Sequence, residues 1–321
     1  MRTHFLIRIK LTYLIFNTVL LLLFLPTANL LGQKNSTEFL SQVETLIADN
    51  YMDSAVDQLS WFKNEAESAE RFVDLTKCHL MFCKIYYELN KPDSVMVYLN
   101  SAKTTARNWN ISNSKVNFDL DFYKGWFFYR HQKYDSAEYY FNHSLAEINN
   151  HPEDSLAVLS LRMLGNVHLM TGEPEKAYSD YQKALSIEIG SSNPSNITLS
   201  SLYQNIGIVF ANQQEQDSAG KYFKKSLDLK EKILDPNDPK LGRGFLNFGW
   251  FLMQNGKMDE SLEYFNKAEK IYYNTFGADH PELASIFFNK GSLMILFENY
   301  DQALIYHERA LDIYSGTMDS D

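Results

Sequence analysis

His79 and Cys83 stand four residues apart. On a helix that spacing sets an imidazole and a thiolate on one face, where they could fill two of the four positions around a zinc ion. Cys78 or Cys83 with a histidine could equally make a thiolate nucleophile and its base. Neither option is completed, because no further ligands accompany the pair. Both cysteines also flank the apolar run Leu80-Met81-Phe82, and thiols buried among such side chains stay protonated and inert. Lying five apart, on different faces of one helix, they cannot bridge without breaking it. Gly242-Arg243-Gly244 opens like a phosphate-binding glycine loop, but Asn247 takes the third glycine's place and no strand precedes it. His307-Glu308-Arg309 has no second histidine, and His151 and His280 each precede a proline, as helix-capping residues do. The chain contains no P-loop, HExxH or GxSxG string. These patterns point away from catalysis, and no cofactor or metal is expected.

The elements that carry these residues recur. Asp53-Ser54-Ala55, Asp93-Ser94-Val95, Asp135-Ser136-Ala137, Glu175-Lys176-Ala177, Asp217-Ser218-Ala219, Asp259-Glu260-Ser261 and Asp301-Gln302-Ala303 follow one another at spacings of 40 or 42 residues. A fixed long period is the mark of a repeat architecture. Twelve residues before the end of each triplet stands a small residue, namely Cys83, Gly125, Gly165, Gly207, Gly249 and Gly291, with Val43 in the first repeat. Four residues after it comes a large one: Leu59, Leu99, Phe141, Tyr181, Phe223, Phe265 and His307. Seven after it the site is small again (Ala102, Ser144, Ala184, Ser226, Ala268, Ala310), with Phe62 the exception. A glycine inside a helix costs about 1 kcal/mol relative to alanine. Five of them at equivalent sites imply that two helix backbones approach closely. The acidic residue opening each triplet is expected to cap the second helix. Gly172, Gly256 and the polar runs Gln213-Gln214-Glu215 and Glu298-Asn299 mark the turns. His151-Pro152, Asn193-Pro194, Asp238-Pro239 and His280-Pro281 are expected to open the first helices, with proline in the first turn.

This pattern resembles the tetratricopeptide repeat, most fully in Leu164-Gly165, Gly172, Ala177, Tyr181 and Ala184-Leu185 and again in Gly291, Tyr300, Ala303 and Ala310-Leu311. The 42-residue spacing and the linker Gly277-Ala278-Asp279-His280-Pro281-Glu282-Leu283-Ala284 look like the longer kinesin-light-chain-type variant, although Ile206, Phe248 and Lys290 depart from the usual leucine. The resemblance implies an all-α, right-handed superhelical solenoid of about seven helix-turn-helix repeats, near 36–69, 76–109, 118–151, 158–191, 200–233, 242–275 and 284–317. It also implies a groove lined by the first helices. By helical phase that groove includes Leu80, Phe122, Trp126, Tyr129, Arg162, Asn166, Gln204, Ile208, Arg243, Trp250, Met253 and Phe288, and aromatic and arginine residues are the preferred anchors of interfaces. Some members of the family hold a peptide's C-terminal carboxylate in a clamp of basic and asparagine residues. Carried onto repeats four to six, its positions fall on Arg162, Asn166, Asn205, Arg243 and Asn247, the last departing from the family's arginine.

A net charge of −10 without a basic stripe makes nucleic acid an unsuitable partner. At the N-terminus Arg2, Arg8 and Lys10 precede an apolar run over 11–25, which suits a signal peptide over 1–32, cut between Gly32 and Gln33. The rival is an uncleaved anchor running to Leu31, the one way a membrane would be involved. Either way the repeats are expected outside, in the periplasm or cell envelope. No polar cap is legible after Tyr314, which points to a shortened chain, or to a partner or second copy covering that end. The resulting reading is a non-enzymatic interaction scaffold of the bacterial cell envelope that takes a protein or peptide in its groove. The alternative is the sensor part of a larger signalling protein, with a kinase, DNA-binding or CHAT protease output elsewhere.

Overall fold

The computed structural model describes residues 36–48, 51–148 and 154–318. The leader and the His151-Pro152 helix start lie outside them. Fourteen helices make up the described residues, and no strand occurs among them. They are α1 Ser36–Ala48, α2 Met52–Ser68, α3 Phe72–Glu88, α4 Pro92–Asn108, α5 Ser114–Arg130, α6 Tyr134–Ile148, α7 Asp154–Met170, α8 Pro174–Gly190, α9 Asn196–Asn212, α10 Gln216–Ile233, α11 Pro239–Gln254, α12 Met258–Phe276, α13 Pro281–Leu296 and α14 Tyr300–Met318. They fall into two compact units, Met1–Val116 and Asn117–Asp321.

One turn joins the two helices of every hairpin that is described throughout. A residue in the left-handed region ends the first helix: Asn90, Gln132, Gly172, Gln214, Gly256 or Glu298. The amide of the next residue reaches back five positions, as Lys91 to Tyr86, Glu173 to His168, Glu215 to Phe210 and Lys257 to Leu252 at 2.8–3.0 Å. With the left-handed residue's own amide reaching back three positions, as Asn90 to Tyr87 at 3.0 Å, this pair of hydrogen bonds is the Schellman geometry. That next residue is at once the N-cap of the second helix, so Lys91, Glu173, Glu215 and Lys257 cap through backbone alone, without a side-chain bond.

The acidic residues expected as caps therefore sit two positions further in. Asp93, Glu175, Asp217 and Asp259 lie inside the first turn, where a carboxylate still meets the positive end of the helix dipole. Pro92 and Pro174 occupy the first turn as well. Three first helices of the second unit use side chains instead. Asp238 accepts from the Lys240 amide at 2.7 Å, His280 from Glu282 at 3.2 Å and Ser195 from Thr198 at 3.3 Å. Pro239 and Pro281 follow their caps as expected. Pro194 does not open α9, because Ser195 supplies the hydroxyl that the cap needs and the helix begins after it.

The recurring small and large residues meet face to face. A Cβ on Gly125 would stand 2.9 Å from the Phe141 ring, on Gly207 2.6 Å from Phe223, on Gly249 2.8 Å from Phe265 and on Gly291 2.7 Å from His307, and Gly165 lies against Tyr181 in the same way. In the first unit Cys83 takes the glycine's place and donates its thiol to the Val95 carbonyl at 3.6 Å. Phe62, the one large residue at the third site, is buried and stacks on Phe39 of α1 at 4.5 Å.

Several polar groups that enter these cores are paired. Ser261 donates to the Gly249 carbonyl at 2.7 Å, and the Ser144 and Ser160 hydroxyls meet at 2.8 Å. Buried His168 places Nδ1 2.7 Å from Asp180 and Nε2 3.3 Å from Glu138. Lys290, at a leucine position, is buried, bonds Glu269 at 2.7 Å and lies 4.6 Å over the Tyr306 ring. A buried charge without such partners costs several kcal/mol.

Candidate binding groove

The sequence-derived groove residues divide into three groups. Phe122 and Trp126 are only 1% and 5% exposed and cannot anchor a partner. Phe122 is held between Phe118 at 5.7 Å and Phe141 at 5.6 Å, so its ring serves the hairpin core. Leu80 and Met253 are buried too. Trp250 and Phe288 are open, at 51% and 55% exposed, with Phe288 resting edge-on against His307 at 5.3 Å.

The second group clusters around Asn166. Its side-chain oxygen accepts from the Tyr181 hydroxyl at 2.7 Å and from the Asn205 amide at 3.1 Å, so α7, α8 and α9 are tied at one point. Burial, together with the neighbouring Tyr134, pushes the Tyr129 hydroxyl above its ordinary pKa, and Arg162 pulls it back. Burial raises the Tyr181 hydroxyl as well, again opposed by Arg162. Tyr129, Arg162, Asn166 and Asn205 thus share one neighbourhood. Arg243 does not offer its guanidinium freely: it bonds Glu282 at 2.7 Å on α13.

The third group lines a cleft of about 270 Å³ formed by α9, α10 and α11. Asn247 and Trp250 stand on one wall with Phe248 and Phe251, and Gln204, Ile208 and Asn212 on the other. Phe223, Leu227 and Lys230 of α10 complete the lining. Lys230 donates to Gln204 Oε1 at 2.6 Å, and burial lowers its pKa. Sequence reasoning missed Lys230 and Phe223. The signal was there in the 42-residue register, which aligns Lys230 with Glu188 and Tyr272. Those two satisfy the backbone, Glu188 accepting from Ser195 at 2.5 Å and Tyr272 donating to Pro239 at 3.3 Å.

Asp121, His143 and Glu147 bring three potential metal-ligand atoms within 4.8 Å of one another. They are already engaged: His143 meets Asp121 at 2.6 Å and Glu147 accepts from Asn117 at 2.9 Å. In the His79 and Cys83 pair, which the sequence left without further ligands, the Cys83 thiol donates to the Val95 carbonyl. Among the described residues no helix is long and apolar enough to cross a membrane.

This geometry of close-packed hairpins with a lined groove agrees with the comparisons. Residues 154–232 and 244–315 match the tetratricopeptide repeat family model. Over those two segments the chain carries tetratricopeptide repeats. No curated protein matches it in sequence. Among solved structures, the apo form of RapI is similar over 87% of this chain and 76% of its own, at 15% identity and a TM-score of 0.68. A STAND protein with a tetratricopeptide repeat sensor, PH0952 from Pyrococcus horikoshii, is similar over 89% of this chain but 43% of its own, at 16% identity and a TM-score of 0.64. A putative kinesin light chain from Podospora anserina, with nearly identical repeats, is similar over 64% of this chain and 96% of its own, at 12% identity and a TM-score of 0.54. At such identities the likeness concerns the fold, which is in general a non-enzymatic protein-interaction fold.

Proposed function

We propose that this protein is a binding scaffold of the bacterial cell envelope that receives a protein or peptide partner in the groove of its second unit. One observation carries the reading: Trp250, a first-helix aromatic, stands 51% exposed at the wall of an apolar cleft, although neighbouring aromatics of α11 such as Phe248 and Phe251 are buried. A large ring left in water at a concave wall is what an interface anchor looks like before its partner arrives. The Tyr129, Arg162, Asn166 and Asn205 neighbourhood would extend the contact.

Export is the second half of the proposal and rests on the apolar leader. A photo-crosslinking residue at 250 or 288, in cells expressing the full chain, should trap one discrete partner. The same residue at position 97, an exposed apolar site of the first unit, should not. Fractionation of those cells should place a protein beginning near Gln33 in the periplasm. Equal crosslinking at all three sites defeats the groove reading, and an intact Met1 in the membrane pellet replaces cleavage with an anchor.

A second reading, the sensor part of a larger signalling protein, draws on the likeness to the repeat sensor of the STAND protein. It requires a fused or tightly bound output whose activity changes when the groove is filled.

A further inference from the structure

The hairpin of α5 and α6 departs from the later hairpins of the second unit at three register positions. At the position of Asp121 the four later repeats carry Leu161, Tyr203, Phe245 and Phe287, and at that of Glu147 they carry Ile187, Leu229, Ile271 and Ile313. At the position of His143 they carry Lys183, Lys225, Lys267 and Arg309. In two of these hairpins the long cation lies over the ring: Lys225 is 5.5 Å from the Tyr203 centroid and Lys267 5.5 Å from that of Phe245. The aliphatic residue belongs to the core, with Ile271 and Ile313 buried. The repeat thus calls for two apolar groups and a long cation here. The α5–α6 hairpin supplies two carboxylates and an imidazole.

These three groups converge. Asp121 of α5 and His143 and Glu147 of α6 each bring one ligand atom within 4.8 Å of the other two. His143 and Glu147 are four apart and share a helix face. Atoms bound at about 2.1 Å to one tetrahedral zinc ion stand ~3.4 Å from each other, so small side-chain rotations bring this set onto a single ion. His143 Nδ1 stands 2.6 Å from Asp121 Oδ2. The proton between them gives way to the cation, and the ring keeps its N–H on Nε2. Asn117, one turn before Asp121, donates to Glu147 at 2.9 Å and orients that carboxylate, as the partners of metal ligands do. Asp121 is mostly covered while His143 is half exposed, which leaves the ion a way in and room for a water.

The geometry points to a site for one divalent transition ion of the zinc class, held by Asp121, His143 and Glu147 with water in the fourth position. Two carboxylates cancel the charge of the ion. The imidazole selects zinc, cobalt or nickel over calcium and magnesium, which take oxygen shells. The ion ties the first half of α5 to the last turn of α6, where the later hairpins use their apolar contact instead. In the sequence His143 and Glu147 are only a pair, and Asp121 stands twenty-two residues from His143; the hairpin brings it in. The site is separate from the groove and does not depend on a partner.

The test uses the untagged full chain, freed of metal by a chelator, with zinc chloride as the probe. Titration calorimetry should show one zinc ion per chain, while calcium and magnesium chloride at the same concentrations give no binding heat. Saturating zinc should raise the melting temperature, because an ion that binds only the folded chain stabilises it. His143→Gln and Glu147→Gln should each weaken zinc at least ~10-fold and shrink that rise, yet melt like the parent without zinc. His131→Gln, at the histidine just after α5, should change neither. A triple variant, Asp121→Phe with His143→Lys and Glu147→Ile, gives this hairpin what the later repeats carry. It should melt no lower than the zinc-free parent and bind no zinc, which separates loss of the site from loss of the fold. Failure of the parent to bind one zinc ion, zinc affinity that survives His143→Gln, or calcium bound as tightly as zinc each overturns the assignment.

Discussion

The Tyr181 ring fills the space that a Cβ on Gly165 would take, and its hydroxyl donates to Asn166, the very next residue, at 2.7 Å. One ring thereby uses the missing side chain of one position and the amide of its neighbour. It closes the α7–α8 hairpin and passes the hydrogen bond on to Asn205 of α9.

The same contact at Gly249 makes a stability prediction in which two effects oppose each other. Alanine would improve helix propensity by about 1 kcal/mol. Its Cβ would stand 2.8 Å from the Phe265 ring and 3.3 Å from the Ser261 carbonyl, and overpacking of that kind costs about 1–3 kcal/mol. Gly249→Ala is therefore expected to lower the urea midpoint slightly and Gly249→Leu strongly. Equal midpoints would mean that the ring moves aside freely.

The turns make a prediction of opposite sign. Gln214 holds φ at 63°, a conformation that costs a residue with a Cβ about 1–2 kcal/mol. Glycine removes that strain and adds about 0.5–1 kcal/mol of chain entropy to the unfolded state. Gln214→Gly is expected to leave stability unchanged or raise it by up to ~1 kcal/mol, read as a thermal midpoint that does not fall.

Much of this was legible in the sequence, and the failures have causes. The glycine and ring partners were readable because the period repeats each pair five times, and chance does not. The acidic caps were misplaced by two residues because the preceding left-handed residue already supplies the chain reversal, so the backbone at those four turns needs no side-chain cap. Phe122 and Trp126 were misjudged because α5 carries Phe118, Phe122, Tyr123 and Trp126 around more than one face, and helical phase alone cannot say which face a partner would see. Lys230 was missed for another reason. The register shows only that it stands where Glu188 and Tyr272 stand, whereas its place in the cleft depends on how α9 and α11 pack against α10.

His79 sets a pH dependence in the first unit. Burial, then the nearby Lys63, lowers its pKa below the usual 6.5, against Glu67, and its buried Nδ1 has no hydrogen-bond partner. The folded chain keeps the ring neutral while the unfolded chain takes up a proton. The stability so gained is present above pH 6.5 and is lost as pH falls through the folded value. Between pH 7.5 and 5, His79→Leu is expected to lose less stability than the parent protein. Parallel pH profiles for the two would remove His79 as the cause.

The cysteines should be silent. Burial, with Asp74 adding to it, pushes the Cys78 thiol up to about 12, and Cys83 is fully enclosed. With the thiolate as the reactive form, a disulfide reagent at pH 8 is expected to find no thiol in the folded protein and both in denaturant. Rapid labelling of the folded chain would show that α3 opens.

Every fully described hairpin turn spends three residues between its helices, while the links that follow in the second unit, 191–195, 234–238 and 277–280, vary in length. The molecule therefore has its expansion joints between hairpins and none inside them. One residue added at 213–215 would break the turn bond from Glu215 to Phe210 that sets how α10 returns against α9 and carry Phe223 off Gly207. The same residue added at 191–195 would leave both flanking pairs seated. Insertions, tags and protease sites belong at those joints, and drift in repeat length can accumulate there without unseating a single ring.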